Sequence, residues 1–227
     1  MPLLESFPVE FNPERVVHSL RLGKKERASI IARELIGQAS LLIHPKALFK
    51  VSFIREKEKD TVRIDSTQFQ SRVLRKNLDK VERVFPYVIT IGKALEDEAS
   101  SQGDLLQQFY LESLGDMALS MSERRLRKHL KSHYGLEKLS SMSPGSLKNW
   151  PIEEQKPLFS LLGDVKRLVG VRLTERMLMI PRKSISGIFF PKEVTFLSCQ
   201  LCQMESCPSR IAPYDDKLRK MYGLEND

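Results

Sequence analysis

The chain has 227 residues, 41% of them hydrophobic and 29% charged, with a formal net charge of +8; this is too apolar for a disordered chain and too charged for a membrane protein. Its length lies within the single-domain range and allows a continuous core without disulfides. The N-terminus has no basic region leading into a long apolar run, so no signal peptide is read, and the three cysteines are an odd number; a cytoplasmic protein is expected, with metal or redox chemistry ahead of a disulfide scaffold.

In chain order, residues 8–11 read as a short strand, and Asn12-Pro13-Glu14 as an N-cap, a proline at the first helical position and an acidic first turn. That helix should end near Gly23. A second, over about 24–42, carries Ile31, Leu35, Ala39 and Leu42 at helical spacing until His44-Pro45 stops it. Residues 48–55 and 61–65 are rich in β-branched and apolar types, and the polar Glu56-Lys57-Glu58-Lys59-Asp60 between them predicts a hairpin whose loop exceeds two residues. Val88-Ile89-Thr90-Ile91, ended by Gly92, is a further strand.

A long helix is predicted over roughly 104–134, with Leu106, Tyr110, Leu114, Met117 and Met121 as its apolar stripe and Gly115 admitting a close neighbour. Arg124, Arg125, Arg127, Lys128, His129 and Lys131 crowd into eight residues of it. The run is either a solvated face or a docking surface for an acidic protein. It has no interleaved aromatics and no zinc-finger or RNP-like pattern, so nucleic acid is not the expected partner. A helix over 153–162, strands near 169–173, 188–190 and 194–197, and a short helix near 215–222 complete the chain. Strands and helices interspersed unevenly favour an α+β fold over repeating βαβ units.

Three segments carry candidate chemistry. Ser141-Met142-Ser143-Pro144-Gly145-Ser146 is a turn-rich segment read between two helices; it is an ordinary connection or a surface where exposed backbone meets a polar ligand. In Ser184-Ile185-Ser186-Gly187 the two hydroxyls face one way and Ile185 the other if the chain is extended, either to grip a ligand or to cap the local backbone. Cys199, Cys202 and Cys207 hold every cysteine within nine residues at C-x2-C-x4-C spacing. They could converge on a metal ion or an iron–sulfur cluster, although structural zinc takes four ligands and three are present. A redox-active or partner-contacting thiol patch, or inert buried cysteines, are the alternatives.

Ser143-Pro144-Gly145, Asn149-Trp150-Pro151, Gln155-Lys156, Gly170-Val171-Arg172-Leu173-Thr174-Glu175, Pro181 and Ser184-Ile185-Ser186-Gly187 follow in an order and separation that resemble the activation domain of cobalamin-dependent methionine synthase. The resemblance is specific over about residues 80–198, and it assigns 1–198 to that fold and 199–227 to a cysteine-containing tail. It implies a twisted antiparallel sheet flanked by helices, binding S-adenosylmethionine beside the Pro-Gly turn. The methyl group would be presented to cobalamin held by a partner, methionine synthase or another corrinoid protein, with an electron from a flavodoxin or ferredoxin. By position, Ser143, Pro144 and Gly145 would line the adenosyl site, flanked by Ser141 and Ser146. Ser184, Ser186 and Gly187 would support it, and a carboxylate falls at or beside Asp116. The family usually has arginine where Ser141 stands and tyrosine where Ser146 stands, and serine supplies neither a bidentate donor nor an aromatic wall.

The function so implied is that of an accessory protein for reductive reactivation of a corrinoid methyltransferase. The alternatives are a non-catalytic corrinoid-protein binding module or chaperone, favoured by the missing arginine and tyrosine, and an electron-transfer protein using the cysteines.

Overall fold

A computed structural model describes residues 3–5, 7–23, 26–193, 196–207 and 210–224. The first half contains β1 (Leu3–Glu5), α1 (Pro13–Ser19), α2 (Glu26–Leu42), β2 (Lys46–Phe49), β3 (Ser52–Lys57), β4 (Thr61–Ile64) and β5 (Thr67–Gln70). Then come α3 (Arg72–Asn77), β6 (Arg83–Thr90), α4 (Ala94–Ser101) and α5 (Leu105–Tyr134). The last part contains β7 (Leu139–Met142), α6 (Gln155–Leu162), α7 (Val165–Val169), β8 (Arg172–Leu173), β9 (Met179–Ile180), β10 (Ser184–Pro191) and α8 (Asp216–Met221).

The local signals place the helix ends. Asn12 Oδ1 accepts a hydrogen bond from Arg15 N at 3.1 Å, and Pro13 opens α1. Asp104 caps α5 by accepting from Leu106 N at 2.8 Å, and Gly135 ends it in the left-handed conformation at φ 62°. The strand expected at 8–11 is irregular chain instead; Pro8 has no N–H to give a ladder, and the edge strand is β1, paired with β2.

The run read as one strand over 48–55 is two. β2 and β3 pair β6 in one register, Leu48↔Val88 and Ser52↔Val84, and the ladder is interrupted between them where Lys50 N donates to Pro86 O at 3.0 Å and Pro86 has no N–H to return. The hairpin of β3 and β4 forms as expected, and β5 extends it. β10 pairs the opposite edge of β6, and β7 pairs β10 outermost; every pairing is antiparallel. A separate two-stranded sheet joins β8 to β9. Helix α7 occupies part of the strand expected near 169–173. Val194 and Thr195 lie outside the described residues, while Phe196 and Leu197 of that expected strand are irregular.

The sheet is apolar on both faces. Val84 and Val88 of β6 and Ile188 and Phe190 of β10 pack into a core with Val73 and Leu74 of α3, Leu158 and Leu162 of α6 and Trp150. Their neighbours in sequence, Phe85, Tyr87, Ile89 and Phe189, face the other way against Leu126 and Leu130 of α5. The buried face of α5 is therefore Leu111, Leu114, Ala118, Ser122, Leu126 and Leu130. The stripe read from the sequence shares only Leu114 with it, and Leu106 is 53% exposed. The C-terminal stretch joins the first core: Leu201, Tyr222 and Leu224 are buried there, and Arg72 donates to Gly223 O at 2.7 Å. No helix among the described residues is long and apolar enough to cross a membrane.

Candidate functional site

β10 brings two of the sequence segments together. Its ladder with β7 runs Phe189↔Ser141 and Ile188↔Met142 and stops there, so Ser143 stands beside Gly187 as the chain leaves into the turn. A side chain at Gly187 would meet Met142 O at 2.5 Å, Ser143 Oγ at 2.8 Å and Tyr87 Oη at 2.9 Å. Glycine is thus required by close approach of backbone and hydroxyls. The turn itself is closed by Gly145 N donating to Trp150 O at 2.7 Å, Ser146 N to Ser143 O at 3.1 Å and Ser146 Oγ to Ser143 O at 2.6 Å. Gly145 sits at φ 81° and is exposed, whereas Pro144 is buried beneath it.

Two residues that the sequence did not single out organise this corner. Tyr87 shares a hydrogen bond with the Ser143 side chain and stacks on Phe189 at 4.2 Å. Burial, with the Glu123 charge beside it, pushes its phenol well above 10 despite that bond and the Arg127 charge, so it remains a neutral hydrogen-bonding group. Arg127 reaches across from α5, donating to Ser141 Oγ at 3.0 Å, to Glu123 Oε1 at 2.7 Å and to Leu139 O, with its guanidinium 4.8 Å from the Phe189 ring centre. A guanidinium therefore stands at Ser141 after all, supplied from a helix 14 residues earlier in the chain. Its place within a run of basic residues hid it.

On the other side of β10, Ser184 and Ser186 face one way, as their alternation with Ile185 predicted, and both are buried there. Ser184 Oγ lies 3.0 Å from Thr90 Oγ1 and donates to Pro181 O at 2.7 Å, which makes it a device of the β10 start.

Asp116 enters through Lys183, the residue before β10. Lys183 Nζ lies 2.6 Å from Asp116 Oδ1 and 2.8 Å from Glu112 Oε2, and Arg182 binds Glu112 and Glu96 at 2.8 and 2.9 Å. Gly115 makes this possible, because a Cβ there would be 3.2 Å from Lys183 Cε and from Leu95 Cδ2. Lys183 and Gly187 lie four positions apart along the strand, roughly 13 Å. Asp116 and the Ser143 turn thus bracket one length of β10 on its α5 side. Asp116 is 69% exposed and also lines a cavity of about 560 Å3 with Glu14, Arg15 and His18.

Burial alone would raise the Glu112 pKa, but the hydrogen bond and charge of Lys183, then those of Arg182, hold it below 4.5. Burial likewise works against the Lys183 ammonium, and Asp116 and Glu112 outweigh it to hold the pKa above 10.5. Stability from the depressed carboxylate is present above its unfolded pKa and is lost as pH falls through the folded value. Stability from the raised ammonium is lost only as pH rises through its folded value, above 10.5. Lys183→Met should therefore be less stable than the parent at neutral pH, with the gap narrowing as pH drops below 4.5. Urea unfolding at about pH 7, 5 and 3 checks this. An unchanging gap would assign the loss to packing of the Lys183 stem on Gly115.

The three cysteines are free and half-buried, and no group of three or more His, Cys, Asp or Glu among the described residues is placed to hold a metal ion. The metal or cluster that is one reading of Cys199, Cys202 and Cys207 thus finds no converging ligand set among the described residues. The segment is organised by Arg210, which donates to Cys199 O at 3.0 Å, to Cys202 O at 3.2 Å and to Met204 O. A guanidinium gathering carbonyls shapes this loop through its backbone and leaves the thiols out of it.

No protein-family model matches the chain, and no curated protein matches it in sequence. Among solved structures it is similar to a crystal structure of the MetH reactivation domain bound to AdoHcy, with a TM-score of 0.56 and 16% identity over 87% of this chain and 81% of that one. Strand pairing, helix placement and this likeness agree: the chain has the fold of the MetH reactivation domain, an antiparallel sheet flanked by helices.

Proposed function

We propose that this chain is an accessory protein for reductive reactivation of a corrinoid methyltransferase, with S-adenosylmethionine as methyl donor. The observation that carries the reading is the Ser143-Pro144-Gly145 turn set against Gly187, in a chain whose fold is that of a domain crystallised with AdoHcy. The turn suits an adenosyl group: Gly145 is exposed and brings its backbone close to Ile152, and Ser143 and Ser146 lie at its rim. S-adenosylmethionine supplies a methyl group on a sulfonium, and the corrinoid belongs to the partner. The protein's part is to hold and orient, which is where a positioned site gains its rate. Asp116 would favour the ligand's positive charge, in competition with Lys183, which already neutralises it.

That competition sets the expected affinity in the micromolar to millimolar range, about 4 to 8 kcal/mol. Calorimetric titration with S-adenosylmethionine and S-adenosylhomocysteine is the test. Asp116→Asn, at an exposed position where Lys183 keeps its pair with Glu112, should weaken binding several-fold with only a small fall in melting temperature. Gly145→Val should abolish it, since a Cβ there meets Ile152 Cδ1 at 2.7 Å and valine resists a positive φ.

A second reading, a corrinoid-protein binding module without ligand, is favoured by the internal engagement of the polar groups: Ser141 by Arg127, Ser143 by Tyr87, Asp116 by Lys183. Absence of heat at millimolar ligand, with retained binding to a corrinoid protein, would decide for it.

A further inference from the structure

A cavity of about 750 Å3 opens where β7 begins and β10 ends, away from the Ser143 turn. Val81 and Leu136 give it apolar walls, and Lys76, Lys80, Lys138 and Lys192 bring four ammonium groups to it. Three carboxylates also reach it. Asp79 is committed to Arg75 at 2.5 Å, and Glu137 and Glu193 are exposed, where solvent screens them.

Lys192 is the informative member. It is half-buried, and its Nζ donates to Asn77 Oδ1 and to Tyr222 Oη, the latter at 3.1 Å. It also lies over the rings of Phe196 and Tyr222, at 5.4 and 5.8 Å. Both oxygen partners are neutral, and both are fixed by other bonds. Asn77 Nδ2 donates to Val73 O at 3.1 Å, and Tyr222 Oη donates to Asn77 Oδ1 at 2.8 Å. An ammonium has three donors, so one remains, and Lys192 lines the cavity. Burial draws its pKa below 10.5, with the charge of Asp79 opposing. An ammonium half out of water with only neutral acceptors is costly, and an anion entering the cavity would complete its coordination. Lys76 and Lys138 each spend a single donor, on Met221 O and Glu193 O at 2.9 Å, and keep others for such a guest.

We propose that this cavity binds a phosphomonoester carried on an apolar or aromatic body, with Lys192 bonding the phosphate from inside and Lys76, Lys80 and Lys138 around it. Four ammonium groups suit a doubly charged phosphate better than a single carboxylate, and Val81 and Leu136 receive the body.

The probe is pyridoxal 5′-phosphate, added to the full chain. Where Lys192 holds its phosphate, the free-amine form of a lysine at the rim, Lys76, Lys80 or Lys138, attacks the aldehyde carbon, water leaves and a C=N bond forms. Borohydride then delivers hydride to that carbon and fixes the adduct for peptide mapping. These rim lysines together should be labelled several-fold above exposed lysines such as Lys128 and Lys148, and millimolar inorganic phosphate should suppress it. Pyridoxal, which lacks the phosphate, should show no preference for them. Lys80→Glu, at an exposed position, should lower the labelling of Lys76 and Lys138 several-fold while leaving the melting temperature unchanged. Absent or uniform labelling, or equal preference with pyridoxal, would overturn the proposal and leave Lys192 as an anchor for Tyr222 and α8.

Discussion

Gly187→Ala should destabilise the protein by about 3 kcal/mol or more, at the upper end of what overpacking costs. The added Cβ would lie 2.5 Å from Met142 O, 2.8 Å from Ser143 Oγ and 2.9 Å from Tyr87 Oη. The first is backbone and cannot rotate away. Tyr87 is locked by its stack on Phe189 and by complete burial. Gly187 is not among the glycines at positive φ, so the cost is contact alone and owes nothing to backbone strain. The easiest relief is for β7 to separate from β10, which would carry the Ser143 turn with it. In a chain of this size the loss corresponds to roughly 6 to 12 °C in Tm. Urea unfolding followed by circular dichroism measures it, and a loss below about 1 kcal/mol would show that β7 yields freely. Any S-adenosylmethionine binding should vanish with the β7 register, because Ser143 would no longer face Gly187.

Trp150→Ala should cost about 3 to 5 kcal/mol, as truncation of a large buried aromatic does. The indole is fully buried and sits edge-on to Phe69 at 6.4 Å, in the core shared by α3, α6 and β10. Its backbone closes the Pro-Gly turn: Trp150 O accepts from Gly145 N at 2.7 Å and Trp150 N donates to Leu147 O at 3.0 Å. Packing and turn geometry are thereby coupled. Trp150→Phe keeps most of the volume and should lose clearly less. The comparison separates the cavity left by truncation from the loss of indole contacts, and equal losses in the two variants would point to a specific role for the indole. Trp150 is the single tryptophan of the chain, so both variants need circular dichroism as the probe.

The candidate site was legible in part. The Ser-Pro-Gly turn and the Ser-Ile-Ser-Gly strand stood out because turn residues and alternation are local signals, and β10 does align them. Tyr87, Arg127 and Lys183 were not found. Each acts over a separation that no local pattern marks: Lys183 is 67 residues from Asp116, and Arg127 resembles its solvated neighbours in the basic run. Arg210 was equally hidden among the cysteines that drew attention.

What the sequence determined by itself was whatever a few neighbouring residues can decide. Asn12-Pro13 opens α1, Asp104 and Gly135 delimit α5, the polar stretch at 58–60 turns β3 into β4, and the serines of β10 alternate with Ile185. Caps, turns and period-two alternation need no distant partner. Tertiary structure decided which face of α5 is buried: Leu111, Leu114 and Ala118 are covered by α1, α2 and α4, and Leu126 and Leu130 by β6 and β10, while Tyr110 and Met117 of the row read from the sequence are only partly covered. It also decided that Leu139–Met142 is a strand, since this short segment becomes one by pairing with Ile188–Pro191 some 50 residues on. It likewise joined the C-terminal tail to the main core through Tyr222 and Leu224. These outcomes depend on the area two remote segments can bury together, a quantity that neither segment carries alone.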